Sequence, residues 1–300
     1  FGFLEFASHA AASMALATMT GSTDGGMIQD AESSPPNLLG VILHWAHDAK
    51  PPSEGTEGGL KFKRKHFPAD SRKDCWFCLA SPTCEKHLVV SVHDECYIAM
   101  PKGPVHPQGH VLVVPVTHSG KGALVDRSIA AEMEELKMRL RQHASEKWNC
   151  DLYVFERAIQ TKGGYHTHVQ CIPIERGLGM KLQASMMAMA RSIPNFDLKE
   201  LNSDLALSAV ASSDDDDDGG YFYAEVPVSS KEVKRFLYKA KPNVGAVVPL
   251  QFGREVLAQV MDKPDLAHWK ECVQDEERET ELTAAFRESF APFAPVDEDE

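Results

Sequence analysis

Apolar and polar positions fall into regular patterns from residue 88 onward and much less so before it. Leu88 to Val92, Cys96 to Met100 and His110 to Val116 are short apolar runs rich in β-branched side chains, which predicts three strands. Prolines and glycines between Pro101 and Gly109 separate the second from the third. Asp126 is suited to cap a helix N-terminus. Ile129, Met133, Leu136 and Leu140 then recur at helical spacing, so a helix is expected to about Lys147. Leu152 to Phe155 and His166 to Ile174 return to strand. This order of elements predicts an α+β domain with a largely antiparallel sheet.

A Met-rich helical stretch follows at Met180 to Ile193, where Met at helical spacing reads as core. Tyr221 to Val226 reads as a strand, and helices are expected around Lys231 to Lys239, Phe252 to Met261 and Leu266 to Phe290. This last part is short and charged, so it is expected to pack on the domain before it as a smaller α+β segment. Upstream, Phe1 to Phe6 alternates like a strand and Ala7 to Met19 like a helix. The expected organisation is therefore a fragment at 1–30, a Pro/Gly/Ser/Glu-rich linker at 31–67, an α+β domain at 68–200, an acidic linker at 201–219 and the C-terminal segment at 220–300.

Composition narrows the function classes. A net charge of −13 argues against a general nucleic-acid coat, which needs Lys and Arg over its surface. The charge is uneven, however. Lys61, Lys63, Arg64, Lys65, Arg72 and Lys73 form a basic run, while Asp214 to Asp218 and the last four residues are acidic. Seven scattered cysteines and no secretory signal pattern fit a reducing intracellular compartment, and no apolar run suggests a membrane span. Because the chain opens with Phe1 inside a patterned segment, it is read as part of a longer protein.

The chemistry concentrates in two places. In Gly163-Gly164-Tyr165-His166-Thr167-His168-Val169-Gln170, strand alternation places His166, His168 and Gln170 on one face, roughly 7 Å apart. Two imidazoles and an amide so arranged can ligate a metal, attack phosphorus or hold a phosphate oxygen. Cys75-Trp76-Phe77-Cys78 supplies two thiolates at zinc-site spacing, and two completions are open: Cys84 with His87, or His118 with His166. An uncharged His168 can serve as a nucleophile on phosphorus; Gln170 can donate to a phosphate oxygen but cannot shuttle a proton. Lys102, His106, His110 and Lys162 are further phosphate-contact candidates.

Phe1-Gly2-Phe3-Leu4-Glu5-Phe6 resembles the end of an RNA-recognition motif, which implies Phe1 and Phe3 as base-stacking, RNA-binding residues. The H-x-H-x-Q pattern resembles the histidine-triad (HIT) superfamily, in the branch that includes galactose-1-phosphate uridylyltransferase. That resemblance implies Cys75, Cys78, His118 and His166 as a zinc set and His168 as nucleophile.

A more extensive resemblance is to the CwfJ family. It is carried by C-W-F-C-L-A-S-P (Cys75 to Pro82), E-K-H-L-V-V (Glu85 to Val90), F-E-R (Phe155 to Arg157) and P-L-Q-F-G-R-E-V-L-A (Pro249 to Ala258). It implies a HIT-like first domain, structural Zn2+ and a nuclear role in splicing, intron-lariat debranching or late-spliceosome turnover. Its implied partners are RNA and spliceosomal or debranching proteins, with no membrane. The same resemblance implies phosphate holding rather than turnover; the alternative is an active nucleotidyl hydrolase or transferase working through His168.

Overall fold

The computed structural model describes residues 74–120, 122–124, 126–159, 165–201, 220–240 and 247–295, with the backbone of Gly26–Met27 and Ile42–Leu43. The chain divides into two compact units, Phe1–Lys63 and Arg64–Glu300. In the first, Gly26–Met27 pairs antiparallel with Ile42–Leu43. Phe1, Phe3 and the runs around Ala7 to Met19, Lys61 to Lys73 and Asp214 to Asp218 lie outside the described residues, as does Lys162.

The second unit is an α+β fold on an eight-stranded sheet. Its strands are β1 (Val89–Val92), β2 (Cys96–Ala99), β3 (Val111–Pro115), β4 (Cys150–Ala158), β5 (Val169–Glu175), β6 (Lys199–Leu201), β7 (Tyr221–Ser229) and β8 (Glu232–Lys239). They run in the order β1-β2-β3-β5-β4-β7-β8-β6, and each neighbouring pair is antiparallel. The α+β class with a largely antiparallel sheet is the one the pattern predicts. The C-terminal segment does more than pack on this sheet, because β7 pairs directly with β4 and continues the ladder.

Both faces are covered, which is why the central strands are buried throughout rather than alternating with polar residues. On one side lie α1 (Arg127–Trp148) and α4 (Glu276–Phe290), whose Leu136, Leu140, Phe286 and Phe290 pack with Leu152, Val154 and Cys171. On the other lie α2 (Gly179–Ser192) and α3 (Phe252–Val260), whose Leu182, Met186, Phe252 and Val256 pack with Tyr153, Phe155 and Ile172. The alternation of Leu152, Tyr153, Val154 and Phe155 between the two clusters is the strand period expressed in packing. Asp126 caps α1 as expected, accepting from the Ser128 amide at 3.1 Å.

Two expected helices are different. Residues 231–239 form strand β8, returning from β7 through a tight turn at Ser230 and Lys231. Phe236 and Tyr238 join one cluster while Leu237 joins another, which is a period of two. The stretch from Leu266 to Phe290 is broken into 3-10 turns at Pro264–Ala267 and Trp269–Cys272 before α4, because Asp275 caps a fresh N-terminus by accepting from the Arg278 amide at 2.8 Å. No helix among the described residues is long and apolar enough to cross a membrane.

Candidate metal centre and histidine cleft

The segment that carries the histidines enters the sheet late. Regular pairing begins at Val169, three residues after the expected start, and His166, Thr167 and His168 are held instead by the loop that follows β3. The Thr167 amide and hydroxyl both donate to the Ser119 carbonyl, at 2.7 and 3.0 Å, and the Gly122 amide donates to the Thr167 hydroxyl at 3.1 Å. Thr167 is thereby buried and pinned, while His166, His168 and Gln170 line one cleft, as alternation predicts.

Cys75, Cys78, His118 and His166 converge, with one ligand atom from each within 4.8 Å of all the others. The Cys75 thiol lies 3.3 Å from His166 Nδ1, and the Cys78 thiol 3.3 Å from His118 Nδ1 and 3.7 Å from His166 Nδ1. Metal–ligand bonds of about 2.3 Å to sulfur and 2.0 Å to nitrogen put neighbouring tetrahedral donors roughly 3.5 Å apart, so this donor set fits zinc. His166 Nε2 donates to the Pro115 carbonyl at 3.1 Å, which turns the Nδ1 lone pair toward the thiols. Burial pushes the pKa of His166 down to about 4, which keeps the ring neutral and able to ligate.

The local completion is differently engaged. His87 Nε2 pairs with the buried Glu279 carboxylate at 2.8 Å, and burial pushes the Cys84 thiol pKa up, which disfavours the thiolate. Neither belongs to the converging group.

The cleft beside this cluster has a volume of about 470 Å³. His168 lies in it with its ring stacked on Phe77 at 4.7 Å. Its Nδ1–H donates to the His166 carbonyl at 2.7 Å, leaving the Nε2 lone pair unprotonated in the neutral ring, and burial moves its pKa down. Gln170 is centred in the sheet, paired with Leu112 on β3 and Phe155 on β4. Its Oε1 is 2.9 Å from His110 Nε2. The Val105 amide donates to His110 Nδ1 at 3.1 Å, so that ring must carry its proton on Nε2 and give it to Gln170. The Gln170 amide nitrogen is thus left as a donor for a ligand.

Sequence reasoning missed Arg157. It lines the same cleft from β4, held by bonds from Nε to the Val248 carbonyl and from Nη1 to the Ile159 carbonyl, both 3.1 Å. The signal was present in the F-E-R motif, yet only strand pairing reveals that this arginine stands near Gln170. Glu156, next to it, is buried under the hydroxyls of Tyr165 (2.8 Å) and Tyr221 (2.5 Å) and the Ala123 amide. Burial raises its pKa against these bonds, and the arrangement orients Tyr165, whose ring lies 5.5 Å from that of His168.

The other phosphate-contact candidates point elsewhere. Lys102 pairs with Glu85 at 2.6 Å, His106 packs on Trp148, and His110 is fully buried behind Gln170.

The family follows from matches along the chain. Residues 63–187 match the model described as protein similar to CwfJ C-terminal, and residues 210–294 the one described as protein similar to CwfJ C-terminus 2. The chain belongs to the CwfJ family. Its cleft draws on both CwfJ segments, since Leu250 lines it together with residues of the first.

Relatives include a CWF19-like protein 1 homolog of Caenorhabditis elegans, 33% identical over 228 residues, covering 75% of this chain and 39% of that one. CWF19-like protein 1 of Xenopus laevis is 32% identical over 245 residues, covering 80% and 41%. The chain thus spans about two fifths of the length of these relatives. A solved structure, a hypothetical histidine triad nucleotide-binding protein of Sulfolobus tokodaii, is 24% identical over 30% of this chain and 62% of that one, at a TM-score of 0.26.

Proposed function

We propose that this chain is the zinc-stabilised RNA-binding part of a nuclear factor in pre-mRNA splicing, acting in intron-lariat debranching or late-spliceosome turnover. Its partners would be intron RNA and spliceosomal or debranching proteins. The observation that carries the reading is the convergence in one cleft of the Arg157 guanidinium, the Gln170 amide donor and His168 beside the Cys75, Cys78, His118 and His166 cluster. Family membership supplies the splicing context. In a longer protein, Phe1 and Phe3 would add an RNA contact of their own.

Zinc held by the four residues would supply a structural cross-link between the Cys75–Cys78 turn and the histidine segment. The chain's own groups do the rest. Arg157 supplies positive charge and Gln170 a neutral donor, both suited to non-bridging phosphate oxygens. His168, stacked on Phe77 and fixed through Nδ1, presents Nε2 to the same space.

That geometry also favours a second reading, in which Nε2 attacks phosphorus, a P–N bond forms and the P–O bond to the leaving group breaks. The leaving oxygen would then need to depart as a stable anion. Gln170 has no proton to transfer, and the Tyr165 hydroxyl is committed to Glu156. Holding without cleavage is therefore the preferred reading.

The deciding experiment compares binding of a 2′,5′-branched RNA with its linear isomer and incubates the protein with capped and adenylated nucleotides. Branch preference without an adduct supports the binding role. A phosphoramidate adduct that disappears in His168→Ala would establish a nucleotidyl hydrolase or transferase instead, and indifference to both would refute each reading.

A further inference from the structure

Five large apolar side chains are exposed among the described residues: Trp76, Met138, Met180, Leu250 and Val273. Two of them, Trp76 and Leu250, line the phosphate cleft, one from each of the two CwfJ segments. Trp76 is 60% exposed although it sits between two cysteines of the metal cluster. A tryptophan left in water forgoes a large hydrophobic gain, so its place beside a site for an anion calls for a ligand that is both flat and charged.

The indole is also braced. It meets Trp269 edge to face at 6.3 Å, and Lys270 Nζ lies 5.8 Å from the Trp269 ring centroid. The turn carrying Trp269 is fixed by Arg254, which donates to the Gly103 carbonyl at 3.0 Å and the Leu266 carbonyl at 2.9 Å. It approaches so closely that a Cβ at Gly103 would lie 1.9 Å from the Trp269 carbonyl oxygen. With 60% of Trp76 still exposed, area remains on it for a second ring, and the brace lowers the entropy cost of ordering it.

We propose that Trp76 and Leu250 form a nucleobase subsite, in which one unpaired base of single-stranded RNA stacks on Trp76 while an adjoining phosphate is held by Arg157 and Gln170. The proposal rests on the phosphate-binding reading above and names its ligand more closely. A nucleotide satisfies both halves of the cleft at once, and about 470 Å³ is within the size range of small-ligand pockets. The base must be unpaired, since duplex stacking hides its faces. Stacking tolerates any base, so affinity should depend weakly on sequence. Asp74 also lines the cleft, but it is exposed, where solvent and salt screen its repulsion of phosphate. With one guanidinium facing the anion, the salt dependence should be shallow, near a slope of about −0.7.

The test titrates the full chain, zinc-loaded, with a short single-stranded RNA, the same backbone lacking bases, and a blunt RNA duplex. Trp76→Ala is expected to weaken the single strand by about 5- to 150-fold, the range for loss of one stacked base. Trp76→Phe should recover most of that loss, and the base-free strand should bind Trp76→Ala and the parent alike. Equal affinity of parent and Trp76→Ala for the single strand would overturn the proposal. So would an equal loss on the base-free strand, since Trp76 would then be acting through the metal turn, as zinc content would report. If Arg157→Ala and Gln170→Ala leave the base-free strand unaffected while Trp76→Ala still weakens RNA, the phosphate reading fails and the stacking assignment stands.

Discussion

His110 and Gln170 form a buried pair in which the imidazole Nε2–H donates to the amide oxygen at 2.9 Å. The bond decides which end of Gln170 a ligand meets, because the amide cannot flip without facing its NH2 against another N–H. His110 is fully buried and its pKa is pushed well below the usual value, by burial and then by Arg254, so the neutral tautomer persists.

Removing this imidazole should free the Gln170 amide to rotate. His110→Ala is expected to weaken phosphate-containing ligands by roughly 3- to 10-fold and to cost about 1–3 kcal/mol of stability, because the Val105 amide is left without its acceptor. Titration calorimetry and denaturant unfolding would measure the two effects. A double-mutant cycle with Gln170→Ala should show strong non-additivity in binding.

The metal assignment separates the two sets of ligands. Mass spectrometry should find one zinc per chain, lost in Cys75→Ser, Cys78→Ser, His118→Ala or His166→Ala. Cys84→Ser should retain it. His87→Ala should retain it too, while losing stability because the buried Glu279 carboxylate loses its partner. Release of zinc by the latter two variants would overturn the assignment.

A charged contact ties the two CwfJ segments together. Glu225 on β7 is buried against Lys137 at 2.5 Å and against Arg141, both on α1. Burial alone would raise its pKa, yet the two cations outweigh it and bring the value to about 2. Glu225→Ala should cost about 3–5 kcal/mol, because two cations lose a buried partner. Thermal unfolding at neutral pH would show this as a large fall in midpoint.

Acid should loosen the grip of α4 on α1. His143 is enclosed by Trp148, Phe286, Phe290 and Phe293, and its Nε2 meets the Ser289 hydroxyl at 3.0 Å. Burial, with a smaller push from Lys147 and an opposing pull from Glu146, lowers its pKa to about 4. Below the unfolded value of about 6.5 the unfolded chain binds the extra proton, so stability should fall from pH 6.5 to 4 by up to about 3 kcal/mol and then level off. His143→Phe should remove this group's share of the slope and leave the share of His106, His110 and His168, whose pKa values burial also lowers.

The sequence by itself determined the parts whose signal is local. Helix α1 was legible because Asp126 and its apolar spacing announce it, and alternation suggests the shared side of His166, His168 and Gln170, although the Ser119 loop rather than sheet pairing holds the first two. The zinc alternatives were legible as residue types, and the family resemblance, rather than spacing, singled out the long-range set. Strand β8 reads as a helix in sequence because its Lys, Arg and Leu suit one, and it becomes a strand because β7 offers it a partner. Arg157, Trp76 and the tautomer of His110 were decided only by tertiary structure: they depend on which strands pair and which loops meet, contacts made between residues far apart in sequence. Local preferences choose elements, but only long-range packing fixes which polar atoms are left for a ligand.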